Sequence, residues 1–239
     1  MQRGFRTMRL VVCGGTGSGK SAVCNTLLGS PEFPSGTGPH PVTRSCAERT
    51  ARLHDRTVTV VDTPSTEEMV REILKSVSLY RPGPHVFLMV LPVGNLTRDD
   101  IHINKLVEKM FGKKVWNYTI VLFTHGDRLE GAALNDIISS ADVELREFIR
   151  KCSGGYVVFN NKDMRDRSQV TRLLAKIETL VAINGNGCYT TALYPRTERK
   201  VREKVFDFSD ISYCCFINKM DLFIILPFTV TLMFLCWEG

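Results

Sequence analysis

A dominant charge, a regular cysteine spacing and internal repeats are all missing from this 239-residue chain, and each absence removes a class of protein. Thirty-one Lys and Arg oppose 25 Asp and Glu, for a net charge of +6. Six basic and six acidic residues fall in 196–239, so the surplus lies in residues 1–195 and makes no basic tail. So mild an excess gives no electrostatic argument for nucleic acid as a partner. The eight cysteines (13, 24, 46, 152, 188, 214, 215, 236) contain no C-x-x-C pair and keep no regular spacing. They read as small hydrophobes carrying reduced thiols. The N-terminal stretch up to Gly14 has basic residues but too short an apolar core for a signal peptide, so the body is expected in the cytosol. No repeat of 20–50 residues is present. At 44% hydrophobic and 23% charged the composition is neither disordered nor collagen-like and fits one ordinary domain, or two.

What is present begins with an alternation. Apolar runs suited to buried strands occur at Leu10–Cys13, Val58–Val61, Val86–Leu91, Thr119–Phe123 and Tyr156–Phe159, with a more polar edge strand near Thr50–His54. Between them lie helical patterns at about 20–28, 66–79, 98–111, 134–151 and 168–183. The last places Val170, Leu173, Leu174, Ile177, Leu180 and Val181 on one face. This order predicts an α/β domain with a mostly parallel sheet.

Gly14-Gly15-Thr16-Gly17-Ser18-Gly19-Lys20-Ser21 follows the first strand, opens the first helix, and fits G-x-x-x-x-G-K-[ST]. Glycines let successive backbone N–H groups turn inward around phosphate oxygens, and the helix N-terminus, through Ala22, adds partial positive charge. Lys20 is placed to reach the β- and γ-phosphates, and the Ser21 hydroxyl to ligate Mg²⁺. The pattern therefore implies a P-loop NTPase, a three-layer sandwich around the sheet. Val58–Val61 ends in Asp62-Thr63-Pro64, and an Asp there holds Mg²⁺ through water, opposite Ser21.

The base is chosen elsewhere. Guanine is usually read by an Asp within N/T-K-x-D after a later strand. Two candidates exist: the literal Asn218-Lys219-Met220-Asp221, and the degenerate Thr124-His125-Gly126-Asp127 after Thr119–Phe123. Thr124 lies 62 residues past Asp62, the length of two further helix–strand units, whereas Asn218 lies 156 past it with eighteen residues after Asp221. Spacing selects Thr124–Asp127. Without the lysine, His125 or its neighbours must cover one face of the base. An ATP-dependent kinase is disfavoured by Asp127 and by the lack of an acceptor site.

In this order of motifs the chain resembles the immunity-associated GTPases, the GIMAP or AIG-type group related to septins and chloroplast Toc GTPases. The resemblance runs from about Met8 to Tyr194. It rests on the phosphate loop with Asn25-Thr-Leu-Leu-Gly29 behind it, Val42-Thr43-Arg44-Ser45-Cys46, Asp62-Thr-Pro, the box Gly83–Gly94, Phe123-Thr-His-Gly-Asp127 and Val158-Phe-Asn-Asn-Lys-Asp163. It implies that Thr43 is the switch threonine whose hydroxyl joins Mg²⁺ and, with Lys20, bears on catalysis. It further implies that Ser35, in Phe33-Pro34-Ser35, touches the nucleotide, and that Asn160 and Asn161 help seat guanine. GTP or GDP with Mg²⁺ are the implied ligands, and a homodimer or oligomer through the nucleotide face the implied assembly.

Three departures from the family pattern point to slow hydrolysis. Ser65 replaces a glycine whose N–H approaches the γ-phosphate. Asn95 stands in Gly94-Asn95-Leu96-Thr97, where relatives often carry Gly-Arg-aromatic-Thr, with Arg98 as a substitute. No glutamine follows Asp62-Thr-Pro to orient water. These departures also leave open a nucleotide-binding scaffold that assembles on membranes without useful turnover.

The average composition hides one segment. Residues 222–237 (LFIILPFTVTLMFLCW) carry no charge, and thirteen of the sixteen are apolar. As a helix the run would span about 24 Å, short of a bilayer core of about 30 Å but suited to a thin one such as the endoplasmic reticulum. Arg196–Lys204, with five basic and two acidic residues, would keep the upstream side cytosolic. The expected organisation is a G domain at 8–194, an irregular basic linker at 195–221, and a C-terminal hydrophobic helix at 222–237, read as a tail anchor with a helix packed on the domain as the alternative.

Overall fold

A computed structural model describes residues 7–34, 46–53, 55–63, 83–94, 96–129 and 134–193. Ser35, Thr43, Ser65, Asn95, the helical pattern at 66–79, and everything from Tyr194 onward, including the run 222–237, lie outside the described residues. Among the described residues no helix is long and apolar enough to cross a membrane.

Six strands build one sheet in the order β2-β3-β1-β4-β5-β6. They are β1 (Thr7–Cys13), β2 (Ala47–Leu53), β3 (Arg56–Asp62), β4 (Val86–Pro92), β5 (Thr119–Thr124) and β6 (Tyr156–Val158). All pair in parallel except β2, which runs antiparallel to β3 at the sheet edge. The central strands are apolar at nearly every position because both faces are covered, whereas β2 keeps exposed polar residues on its open side.

Alternation along the strands sorts the core into two layers. Leu10, Val12, Val60, Leu88, Val90, Ile120 and Leu122 face α1 (Lys20–Leu28) and α5 (Ser168–Ile183). Val11, Cys13, Val61, Phe87, Met89, Val121 and Phe123 face α2 (Arg98–Phe111) and α4 (Val143–Lys151). All six residues expected on the inner stripe of α5 are buried. The single helix expected at 134–151 is two, α3 (Leu134–Ser140) and α4, because the Asp142 carboxylate accepts the Leu145 N–H at 2.9 Å and starts a new helix. The five described cysteines are free thiols, and burial pushes Cys13 and Cys152 up to about 12, so both serve as packing groups.

The turn before β4 carries a buried histidine. His85 Nδ1 accepts the Arg9 N–H at 3.0 Å, and the His85 N–H donates to the Arg9 carbonyl at 2.9 Å. Burial, and then the Arg9 charge, hold its pKa down to about 4 from 6.5. The unfolded chain therefore binds the proton first as pH falls. The stability that the neutral ring provides is complete above pH 6.5 and is lost as pH falls towards 4, by about 2 kcal/mol after a discount for solvent screening. Urea midpoints at pH 7 and pH 4.5 should show this loss. His85→Gln, whose amide does not titrate, should lose that part of the pH dependence.

Candidate nucleotide-binding site

The site lies at the C-terminal ends of the parallel strands, where β1 runs through Gly14–Gly19 into α1. Two glycines of this loop are required by geometry. Gly14 has φ +156°, and a Cβ there would lie 2.4 Å from the Val90 carbonyl oxygen of β4. Gly19, with φ +92°, is the N-cap of α1, and its Cβ would sit 3.3 Å from Thr124 Cγ2. Gly19 offers no side chain to cap the first turn, and that turn carries no acid. A helix start of this kind is an anion site.

Charged and polar groups converge on that loop. Lys20 is buried, and its Nζ donates to the carbonyls of Gly14 at 3.1 Å and Gly15 at 2.8 Å. Burial lowers its pKa, while Asp62, lying opposite, works against that shift. The Ser21 hydroxyl donates to Asp62 Oδ2 at 2.6 Å, and Asp62, the last residue of β3, is fully buried. The Ser18 hydroxyl is buried beside Gly14 with no hydrogen-bond partner among the described residues. From the start of α2, Asp100 closes a capping box with Thr97 through Oδ2, and its Oδ1 would lie 3.0 Å from a Cβ on Gly15.

The expected base reader sits beside the loop. Thr124 ends β5 fully buried, and its hydroxyl donates to the Ser18 carbonyl at 2.8 Å. It therefore ties β5 to the phosphate loop, with its side chain turned away from solvent. His125 adopts φ +60°, and burial lowers its pKa, leaving a neutral ring at pH 7. Gly126 donates its N–H to the Phe159 carbonyl at 3.0 Å, which clamps the turn after β5 onto the turn after β6. Asp127 lies in the short 3₁₀ turn that follows, ion-paired with Lys162 at 2.6 Å. The Lys162 ammonium, bonded to it, holds the Asp127 carboxyl below its usual range.

A model of the AIG1 family matches residues 8–207. The chain belongs to the AIG1 family. Immune-associated nucleotide-binding protein 5 of Arabidopsis thaliana is 33% identical over 213 residues, covering 83% of this chain and 69% of that protein. GTPase IMAP family member 8 of Homo sapiens is 30% identical over 188 residues, and there the chain, with 77% of its own residues matched, spans only 28% of the relative. Arabidopsis thaliana Toc33 in complex with GDP and Mg²⁺ superposes with a TM-score of 0.58 at 16% identity, over 74% of this chain and 84% of that one. Toc33 with Mg²⁺ and GMPPNP gives 0.57 at 16% identity, over 74% and 85%. Likeness at that identity bears on the fold alone.

Within this family member the two asparagines after β6 do different work. Asn160 Oδ1 accepts the Lys162 N–H at 3.0 Å, and the Asn160 backbone bonds to Gln169 on both sides, so Asn160 shapes the turn. Asn161 reaches the phosphate loop instead. Its Oδ1 accepts from Thr26 Oγ1 at 2.9 Å, and its Nδ2 would lie 3.6 Å from a Cβ on Gly19. Asn25 clamps the chain beyond α1 by two 2.8 Å bonds with the backbone of Phe33.

Three residues escaped the sequence reading: Asp100, Lys162 and Arg167. Only Asp100 left a local signal, the Thr-x-x-Asp capping pattern. Arg167 donates through Nη1 to the Thr26 carbonyl at 2.6 Å and through Nη2 to the Leu27 carbonyl at 2.9 Å, capping the C-terminus of the helix that begins at the loop. Arg167→Ala leaves both carbonyls unmet and removes a cation from that helix end. It should cost about 2 kcal/mol of folding stability, read from urea unfolding.

Proposed function

We propose that this chain is a guanine-nucleotide-binding protein whose G domain, at 8–194, takes GTP or GDP with Mg²⁺ and hydrolyses GTP slowly. The observation that carries the reading is the Gly14–Ser21 loop, with a glycine at the N-cap of its helix and a Ser21 hydroxyl bonded to a buried carboxylate. In the bound state, backbone N–H groups from Gly15 to Ala22 would surround the phosphates, and Lys20 would exchange its loop carbonyls for phosphate oxygens. His125, Gly126 and Asp127 would line the base with Asn161, with Thr124 holding this turn against the phosphate loop, and Asp127 would accept from the guanine edge. Hard oxygen donors at Ser21 and Asp62 fit Mg²⁺, a metal usually held by one or two carboxylates plus substrate phosphates. Thr43 would add a third protein oxygen and Ser35 a further nucleotide contact, both on the family resemblance. Bound there, Mg²⁺ would neutralise charge developing on the β- and γ-phosphate oxygens.

Relatives lend support by what they are named for: the human relative is called a GTPase, and the Toc33 structures hold GDP or GMPPNP with Mg²⁺. Another structure concerns the importance of dimerisation for the GTPase activity of atToc33 and psToc159. Pairing of two copies of this chain through the nucleotide face is proposed by extension. Calorimetric titration of the full chain with GDP and GTP in Mg²⁺, against ADP and ATP, tests the reading. Selective heats for the guanine nucleotides support it, and equal heats for ADP, or none at all, sink it. Single-turnover release of γ-phosphate then measures hydrolysis. Membrane attachment through 222–237 belongs to the same proposal on sequence grounds, and release of the full chain from cell membranes by alkaline carbonate would refute it.

A further inference from the structure

We infer that Lys162 is a specificity-determining partner of the base reader: its ammonium holds the Asp127 carboxylate in place for the purine edge. It would supply from the turn after β6 the cation that the Thr124–Asp127 motif lacks. The inference rests on the proposal that Asp127 reads guanine. In N/T-K-x-D the lysine is the second position, directly after the first, and here that position is His125, followed by Gly126. Gly126 leaves no room for a side chain, since its Cβ would lie 3.0 Å from Val158 Cγ2 and 3.2 Å from the Phe159 carbonyl oxygen. The charge arrives from the neighbouring strand instead. β5 and β6 pair in parallel with Phe123 opposite Val158, and the Phe159 N–H donates to the Phe123 carbonyl at 2.8 Å, so their closing turns lie side by side.

The lysine backbone is fixed there. Its N–H donates to Asn160 Oδ1 at 3.0 Å, and Gln169 Nε2 braces the same turn through the Asp163 carbonyl at 2.9 Å. Its Nζ then meets Asp127 Oδ2 at 2.6 Å. The Lys162 side chain is 78% exposed, and an ion pair so open to water adds little to folding. What it can do is orient. A carboxylate has about four lone-pair sites, and the lysine occupies one. The others remain for the N1–H and the 2-amino group of guanine, so the lysine can stay in place while the base binds.

The test is a double-mutant cycle read by calorimetric Kd for GDP and for inosine diphosphate, which lacks the 2-amino group, using the full chain in Mg²⁺. Lys162→Ala should weaken GDP about fivefold, within the range for contacting charged residues, and should narrow the preference for GDP over inosine diphosphate. Lys162→Arg should restore most of both. In an Asp127→Ala background, Lys162→Ala should add no further loss, because the lysine acts through that carboxylate. Unchanged or tighter GDP binding by Lys162→Ala overturns the inference, as does an equal loss in both backgrounds. If Asp127→Ala alone leaves GDP binding intact, the base-reader proposal fails first and takes this inference with it.

Discussion

Lys20→Ala is expected to weaken GTP and GDP binding at least about a hundredfold, a loss of about 3 kcal/mol, while the chain stays folded. Lys20 is 6% exposed, and burial alone would favour its neutral form, but its Nζ donates to the Gly14 and Gly15 carbonyls, and the Asp62 carboxylate favours the charge. A cation already desolvated and aimed into the loop requires little reorganisation when phosphate oxygens replace the two carbonyls. Its removal deletes one charge-assisted contact to each phosphate that it reaches. Folding should change far less, because trading a buried charge for a methyl group removes both its attraction and its desolvation cost. Lys20→Arg should fail to rescue binding, since a planar guanidinium does not fit a buried slot closed by Gly14 and Gly15. Calorimetry with each nucleotide in Mg²⁺ gives the binding loss, and urea unfolding of the nucleotide-free chain gives the stability control. A variant that binds GDP like the parent would remove the phosphate role from this loop.

Much of this arrangement was legible because its causes are local. Buried parallel strands need apolar residues at every position, so β1, β3, β4 and β5 read as unbroken runs, and β2 read as an edge because one of its faces meets water. The loop was legible because glycine is the residue that tolerates positive φ and close approach. The break between α3 and α4 was hidden. Ile138 and Leu145 are seven residues apart, so the apolar stripe keeps its phase across the interruption, and only the Asp142 cap marks the new start.

The site's remaining parts depend on contacts across the sheet, which spacing does not encode. Thr124 was expected to face nucleotide with the rest of its motif, yet its hydroxyl turns inward to the Ser18 carbonyl, 106 residues away in sequence. The asparagine pair was expected to act alike, but successive residues in a turn point in different directions, and only Asn161 reaches α1. Lys162 follows those asparagines as an unremarkable polar residue until β5–β6 pairing sets it against Asp127. Local pattern thus carried the scaffold and the phosphate loop. The base side required the order of the strands.

Asp127→Asn should separate the two candidate base readers and reverse the base preference. Guanine offers two donors on its edge, N1–H and the 2-amino group, and a carboxylate accepts both. An amide offers one acceptor and one donor, so at this position it meets N1–H well but sets its NH₂ against the guanine amine. Losing one good hydrogen bond to a charged group and opposing two donors should weaken GDP by about a hundredfold or more. Xanthine keeps N1–H but carries a carbonyl oxygen at position 2, which the new amide can satisfy, so xanthosine diphosphate should bind better than GDP. The substitution also strips Lys162 of its ionic partner, and that part of the loss should shrink at high salt because the lysine is exposed. Asp221→Asn, in the literal Asn218–Asp221 match, should leave both nucleotides unaffected, since that motif lies 156 residues past Asp62 at its first position, where no parallel strand of the described sheet delivers it. Competition of GDP and xanthosine diphosphate for the two variants, measured on the full chain, decides the matter. A switch in preference at Asp221, or none at Asp127, would move the base reader out of the turn after β5.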